Sequence, residues 1–178
     1  NAEVAEKAKT LQEGALKTAE ENVMKALELK GDYALARYYQ AALEERTGKT
    51  EEAMARLKAL TAQYPYDIGL RLEYGIMSLK AEKNEEARAA FEQILKLSPD
   101  YSNAKWYLAT VEERAKNKDK AIALLEEVQK ANPEDVRIAD RLEALERGTL
   151  TLDVPEPVED DTSPMIIDDT DPTQPVSP

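Results

Sequence analysis

The chain has 178 residues, 42% hydrophobic and 34% charged, a size and composition that fit one domain of ordinary size. Its net charge of −12 argues against a general affinity for nucleic-acid phosphates. With no His and no Cys, it has no imidazole or thiolate metal site, no thiol nucleophile, no disulfide and not the commonest general base. No apolar run approaches the ~20 residues that cross a bilayer, and no secretory signal is visible at the start.

In chain order, the first residue is Asn1 rather than Met, which predicts an excised or processed piece with an upstream unit removed. Residues 1–14 read as a cut-off helix, continuous or not with the next. Ala19, Val23, Ala26 and Leu27 then recur at helical spacing and Gly31 follows, so 1–33 reads as a partial first helix pair. Gly48-Lys49-Thr50 looks like the tail of a phosphate-binding loop. That loop needs a glycine where Leu43 stands and a strand before it, and the preceding stretch has no β-branched residue.

A fixed spacing explains the stretch better. Ala53, Ala87 and Ala121 are 34 residues apart, as are Pro65, Pro99 and Pro133. Such a period is the mark of stacked helix–turn–helix units. The units are 34–67, 68–101 and 102–135, with a capping helix over 136–148 whose apolar face is Ile138, Leu142 and Leu145 and whose stop is Gly148. Gly48, Asn84 and Asn117 are the residues expected to carry the left-handed turn between the two helices of each unit. Proline ends the second helix. Small residues at Ala41, Gly75 and Ala109 face the alanine column, and Leu57, Phe91 and Leu125 fill the space between units.

These columns resemble the tetratricopeptide repeat family over about residues 15–147. The resemblance implies an all-α fold, a right-handed superhelical α-solenoid whose first helices line a concave wall. It departs from the family at Arg37, Arg71 and Lys105, where an aromatic is usual, and at Glu44, Ser78 and Glu112, where tyrosine is usual. The positions implied to face inward include Tyr38, Leu72, Ile76 and Trp106 as an apolar band and Arg46, Lys80 and Arg114 as a basic one. Asn103, Tyr39 and Tyr107 stand with or beside them, and the alternative for Tyr38 and Trp106 is packing between first helices with their polar atoms reaching solvent. Chaperone-binding members grip a carboxylate from positions that here hold Tyr38, Ala42, Glu73, Asn103 and Tyr107, with no cation among them, so that activity is not supported.

Residues 149–178 differ in kind. They hold six prolines, eight acids, no Lys or Arg and no aromatic, which predicts a disordered tail and leaves −4 of the net charge to the first 148 residues. One apolar island, Met165, Ile166 and Ile167, is a candidate to dock into the wall of its own or another copy. The reading is a non-catalytic scaffold that binds a protein or peptide on its concave face, with no catalytic residue, no metal and no cofactor. A second reading is a soluble appendage, cytoplasmic or periplasmic, of a larger bacterial membrane protein of the O-antigen ligase type. An enzyme working through paired carboxylates is a third, but no spacing singles out a pair.

Overall fold

A computed structural model describes residues 2–149 and 153–158, which form two compact units. The first holds α1 (Ala2–Leu29), α2 (Ala34–Arg46) and α3 (Thr50–Gln63). The second holds α4 (Ile68–Lys80), α5 (Asn84–Leu97), α6 (Ser102–Arg114), α7 (Lys118–Ala131) and α8 (Val136–Glu146), followed by the extended segment 153–158. The described residues contain helices and no strand, and the fold is an all-α helical repeat solenoid. α2, α4, α6 and α8 begin at residues 34, 68, 102 and 136, and α3, α5 and α7 at residues 50, 84 and 118, each series in steps of 34.

Each first helix ends in the same way. At the end of α2 the Gly48 N–H donates to Glu45 O and the Lys49 N–H to Glu44 O, a Schellman closure. Glu82 and Lys83 repeat it on Leu79 and Ser78, Lys116 and Asn117 on Glu113 and Glu112, and Gly148 and Thr149 on Leu145 and Ala144. The left-handed residue is therefore Gly48 (φ 80°), Glu82 (φ 59°), Lys116 (φ 62°) and Gly148 (φ 81°). This corrects the assignment of that role to Asn84 and Asn117. Asn84 is the first residue of α5, and Asn117 precedes α7 with φ −89°. The pair of carbonyl bonds fixes which position turns left-handed, and two residues with a Cβ accept the strain. Gly48-Lys49-Thr50 is thus a helix stop followed by a helix start.

The core follows the repeat columns. Ala53, Ala87 and Ala121 are fully buried, as are Phe91 and Leu125, and Leu57 is nearly so. Gly75 shows how one column adjusts to another. A Cβ on it would lie 2.5 Å from Cε1 of Phe91, whose ring is held against Tyr107 with centroids 5.6 Å apart. Units with leucine opposite carry Ala41 or Ala109 in that place, and the unit with phenylalanine carries glycine.

α1 is one unbroken helix of 28 residues, so residues 2–14 are continuous with the helix that follows. Gly14 costs about 1 kcal/mol there relative to alanine, too little to break a helix. Residues 4–15 are exposed, and Leu16, Ala19, Val23, Ala26 and Leu27 form the half-buried stripe. α2 is the neighbour of α1 within the unit. Arg37, in a column where an aromatic is usual, donates from Nε and Nη2 to Gly31 O at 3.1 and 2.8 Å, tying α2 to the turn before it.

Candidate functional site

The candidate site is the face that α4, α6 and α8 present in the second unit. Its centre is Trp106, the chain's single tryptophan, 2% exposed. The Arg141 guanidinium of α8 lies over the indole, 4.4 Å from the ring centre. Arg141 also donates to Glu113 Oε1 at 2.7 Å and to Thr110 Oγ at 2.7 Å, so one side chain fastens α8 along three residues of α6. Burial pulls the Arg141 pKa below the usual arginine range, and the charge and hydrogen bond of Glu113 oppose that shift. A cation stacked on an indole and paired with a buried carboxylate fixes the ring in one orientation.

That orientation aims the indole N–H at the segment 153–158. Trp106 Nε1 donates to Glu156 O at 2.9 Å. The Val158 N–H donates to Asn103 Oδ1 at 3.0 Å, and Arg137 Nη2 donates to Val158 O at 3.2 Å. Val158 is 6% exposed and belongs to the apolar core of the unit, and half-buried Val154 packs against that core. Arg137 is itself braced by Asp135, the N-cap of α8, to which its Nε donates at 2.9 Å. The Arg137 hydrogen bond holds the Asp135 carboxyl below its ordinary range, and the same bond raises Arg137.

Beside the segment a cleft of about 620 Å³ stays open. Leu72, Ile76 and Lys80 of α4 line one side, Asn103 and Tyr107 of α6 and Arg137 of α8 the other, and residues 154–158 close it. Burial pushes the Tyr107 hydroxyl up to about 12, and the carboxylates of Glu156 and Glu73 push the same way while Arg137 opposes them. The hydroxyl therefore stays protonated across the physiological range and can only donate or accept hydrogen bonds.

The ten residues expected on the concave wall separate in the structure. Leu72, Ile76, Lys80, Asn103 and Tyr107 meet at the cleft. Trp106 lies behind it, covered by Arg141, because α8 brings a cation to the face that the repeat pattern leaves open. Thr110 and Glu113 are buried in the same way. Arg114 does not continue a free basic band. Its Nη1 donates to Leu79 O at 2.7 Å and to Asn84 Oδ1 at 3.2 Å, joining the end of α6 to the α4–α5 turn. Tyr38, Tyr39 and Arg46 belong to the first unit. There the two tyrosine rings lie 5.4 Å apart, Tyr38 half-buried and Tyr39 exposed, and Arg46 is exposed at the end of α2.

Sequence reasoning missed Arg137, Arg141 and the segment itself. The tail is not uniformly without structure, since 153–158 is held by three hydrogen bonds and two valines. The signal was Val-Pro-Glu-Pro-Val, in which prolines preset an extended backbone and β-branched residues flank them. The island Met165, Ile166 and Ile167 lies outside the described residues.

Two sequence models of the tetratricopeptide repeat match the chain, one over residues 26–65 and one over 78–136, together more than half of it. The chain belongs to the tetratricopeptide repeat family. Human protein O-mannosyl-transferase TMTC3 is 26% identical over 119 residues, which cover 65% of this tetratricopeptide repeat chain and 13% of the human protein. The chain thus spans about an eighth of that relative's length. Among solved structures, MamA superposes with a TM-score of 0.68 at 18% identity, covering 79% of this chain and 82% of MamA. YrrB, described as a tetratricopeptide repeat protein with an unusual peptide-binding site, gives 0.63 at 16% identity, covering 73% and 67%. At these identities the likeness to solved structures is one of fold. The family typically supplies interaction surfaces rather than catalysts.

Proposed function

We propose that this chain is a non-catalytic protein-interaction scaffold whose first-helix face in the second unit takes an extended peptide from a partner protein. The observation that carries the reading is the chain's own segment 153–158, an extended backbone lying on that face with main-chain atoms bonded to Asn103, Trp106 and Arg137. A face that holds one extended strand through main-chain atoms has the chemistry to hold another. Leu72 and Ile76 supply the apolar floor, Tyr107 the aromatic wall and Lys80 a cation at the rim. In the first unit, by itself, Tyr38, Tyr39 and Arg46 are further proposed partner-binding residues, whereas Arg114, bonded to Leu79 O and Asn84 Oδ1, braces the end of α6. The peptide-binding site named for YrrB is consistent with such a use of the fold. The net charge of −12 favours a protein partner over nucleic acid.

The test is a peptide array probed with the full chain and with three variants. Leu72→Glu and Ile76→Glu place a charge on the cleft floor, and each should weaken capture by tenfold or more, as loss of an anchor worth about 2 kcal/mol does. Leu97→Glu, at an exposed leucine ending α5, should leave capture unchanged. Equal behaviour of all three would remove the site.

A further inference from the structure

We infer that residues 153–158 are a built-in competitor, occupying in cis the face that binds a partner segment of the same apolar-Pro-acid-Pro-apolar pattern. The inference rests on the interaction reading above and names its ligand class and its regulation.

Three features of the segment lead there. The recognised atoms are Glu156 O, Val158 N and Val158 O, all of them main chain. Such contacts demand an extended backbone rather than one particular sequence. Pro155 and Pro157 flank the residue whose carbonyl Trp106 reads. Lacking N–H groups, they leave no donor unpaired on either side of it, and they hold φ near the extended value. Val154 and Glu156, each preceding a proline, are biased the same way. The side chains then sort by chemistry. Val158 is buried in the core, Val154 is half-buried, and exposed Glu156 lies in the electrostatic reach of Arg137. An acid between two prolines thus carries its charge within the field of Arg137, with an apolar anchor at each end.

The segment holds this face mainly through main-chain bonds. It contributes two valines and leaves the cleft over Leu72 and Ile76 unfilled. Tethering close behind α8 supplies it with an effective concentration on the order of mM, which compensates for few contacts. A partner segment that also covers Leu72 and Ile76 gains anchors that the cis segment lacks, and so displaces it.

The single tryptophan gives the readout. In the full chain, Val158→Asp should release the segment and red-shift Trp106 emission. A peptide with the sequence of residues 151–160 should then bind that variant saturably and restore the native emission. The native chain should bind the same peptide at least tenfold more weakly. The double variant Pro155→Gly/Pro157→Gly keeps both valines and should fall between, with a few-fold gain over the native chain; a native circular dichroism spectrum of the Val158→Asp chain itself separates release of the segment from misfolding. An unchanged emission in both variants overturns occupancy in cis. A red shift that the peptide does not reverse, or equal affinity in native and variant chains, overturns the competitor and makes the segment a fixed element of the fold. Either failure leaves the array test on Leu72 and Ile76 standing, whereas failure of that test removes the interaction reading itself.

Discussion

Leu72, Ile76 and Lys80 of α4 stand 34 residues before Trp106, Thr110 and Arg114 of α6, so the two helices offer the same face of the repeat. On α4 that face is half-buried at the two apolar positions and exposed at the lysine. On α6 Trp106 and Thr110 are buried, and Arg114 is bonded to the preceding helix pair. The difference comes from what each face meets. Arg141 and residues 153–158 cover α6, and the cleft lies over α4. Position within a repeat therefore does not decide whether a side chain is groove or core; the element laid on it does.

The largest test of this contrast is Arg141→Ala. It removes one partner of a buried ion pair and takes the Arg141 charge away from the Glu113 carboxylate, which costs about 3–5 kcal/mol. Thermal unfolding should fall by roughly 10 °C in consequence, and Trp106 emission should shift to the red. Leu72→Ala, on the equivalent α4 face, should cost only about 1–2 kcal/mol, the value of a half-buried side chain. Equal losses would break the contrast.

Gly75→Ala comes next. The added methyl meets the Phe91 ring, and overpacking costs about 1–3 kcal/mol. The gain in helix propensity offsets about 1 kcal/mol of it, so a net loss of about 1 kcal/mol should appear in urea unfolding. Phe91→Leu in the same chain should recover most of the difference between Gly75→Ala and the native residue, because the units with leucine opposite already accept alanine. A purely additive double variant would show that the two columns do not compensate.

The subtlest readout is a titration. Tyr107 should ionise near 12, later than an ordinary phenol, and its absorbance should show it. Because its folded value is raised, the stability it contributes is fully present below the unfolded value near 10 and is lost as pH rises through about 12. Releasing the segment with Val158→Asp should lower that value, since it uncovers the ring and removes the Glu156 charge. At the acid end the sign reverses for Glu112. Burial opposes its ionisation, but hydrogen bonds from Asn117 and Arg88 outweigh burial and lower its pKa. Its stabilisation is therefore present above the usual glutamate range and disappears as pH falls through the lowered value. A Tyr107 titration indifferent to Val158→Asp would separate the α6 face from the segment.

The repeat was readable because it rests on local rules. Alanine, proline and turn columns at one spacing each reflect a backbone requirement of a helix pair, and those requirements recur wherever the pair does. The left-handed turn was misplaced by one or two residues in two units because Asn84 and Asn117 favour that conformation by themselves, whereas the paired carbonyl bonds of the helix end select Glu82 and Lys116. Five of the ten positions expected on the wall lie together at the cleft. Trp106 was placed on the wall with packing between first helices as the alternative, and nothing in its own repeat announces Arg141, which lies 35 residues away.

The helix pairs, their spacing and the small-to-large packing across them are written in the order of residues, since each depends on residues within one turn or one repeat of each other. Which first-helix face is covered and which stays open, and that an acidic, proline-rich stretch lies on Trp106, emerge only once the helices are packed. Those outcomes depend on a cation, an indole and a main-chain carbonyl converging from three separate parts of the chain, and a pattern of local periodicity carries no term for that convergence.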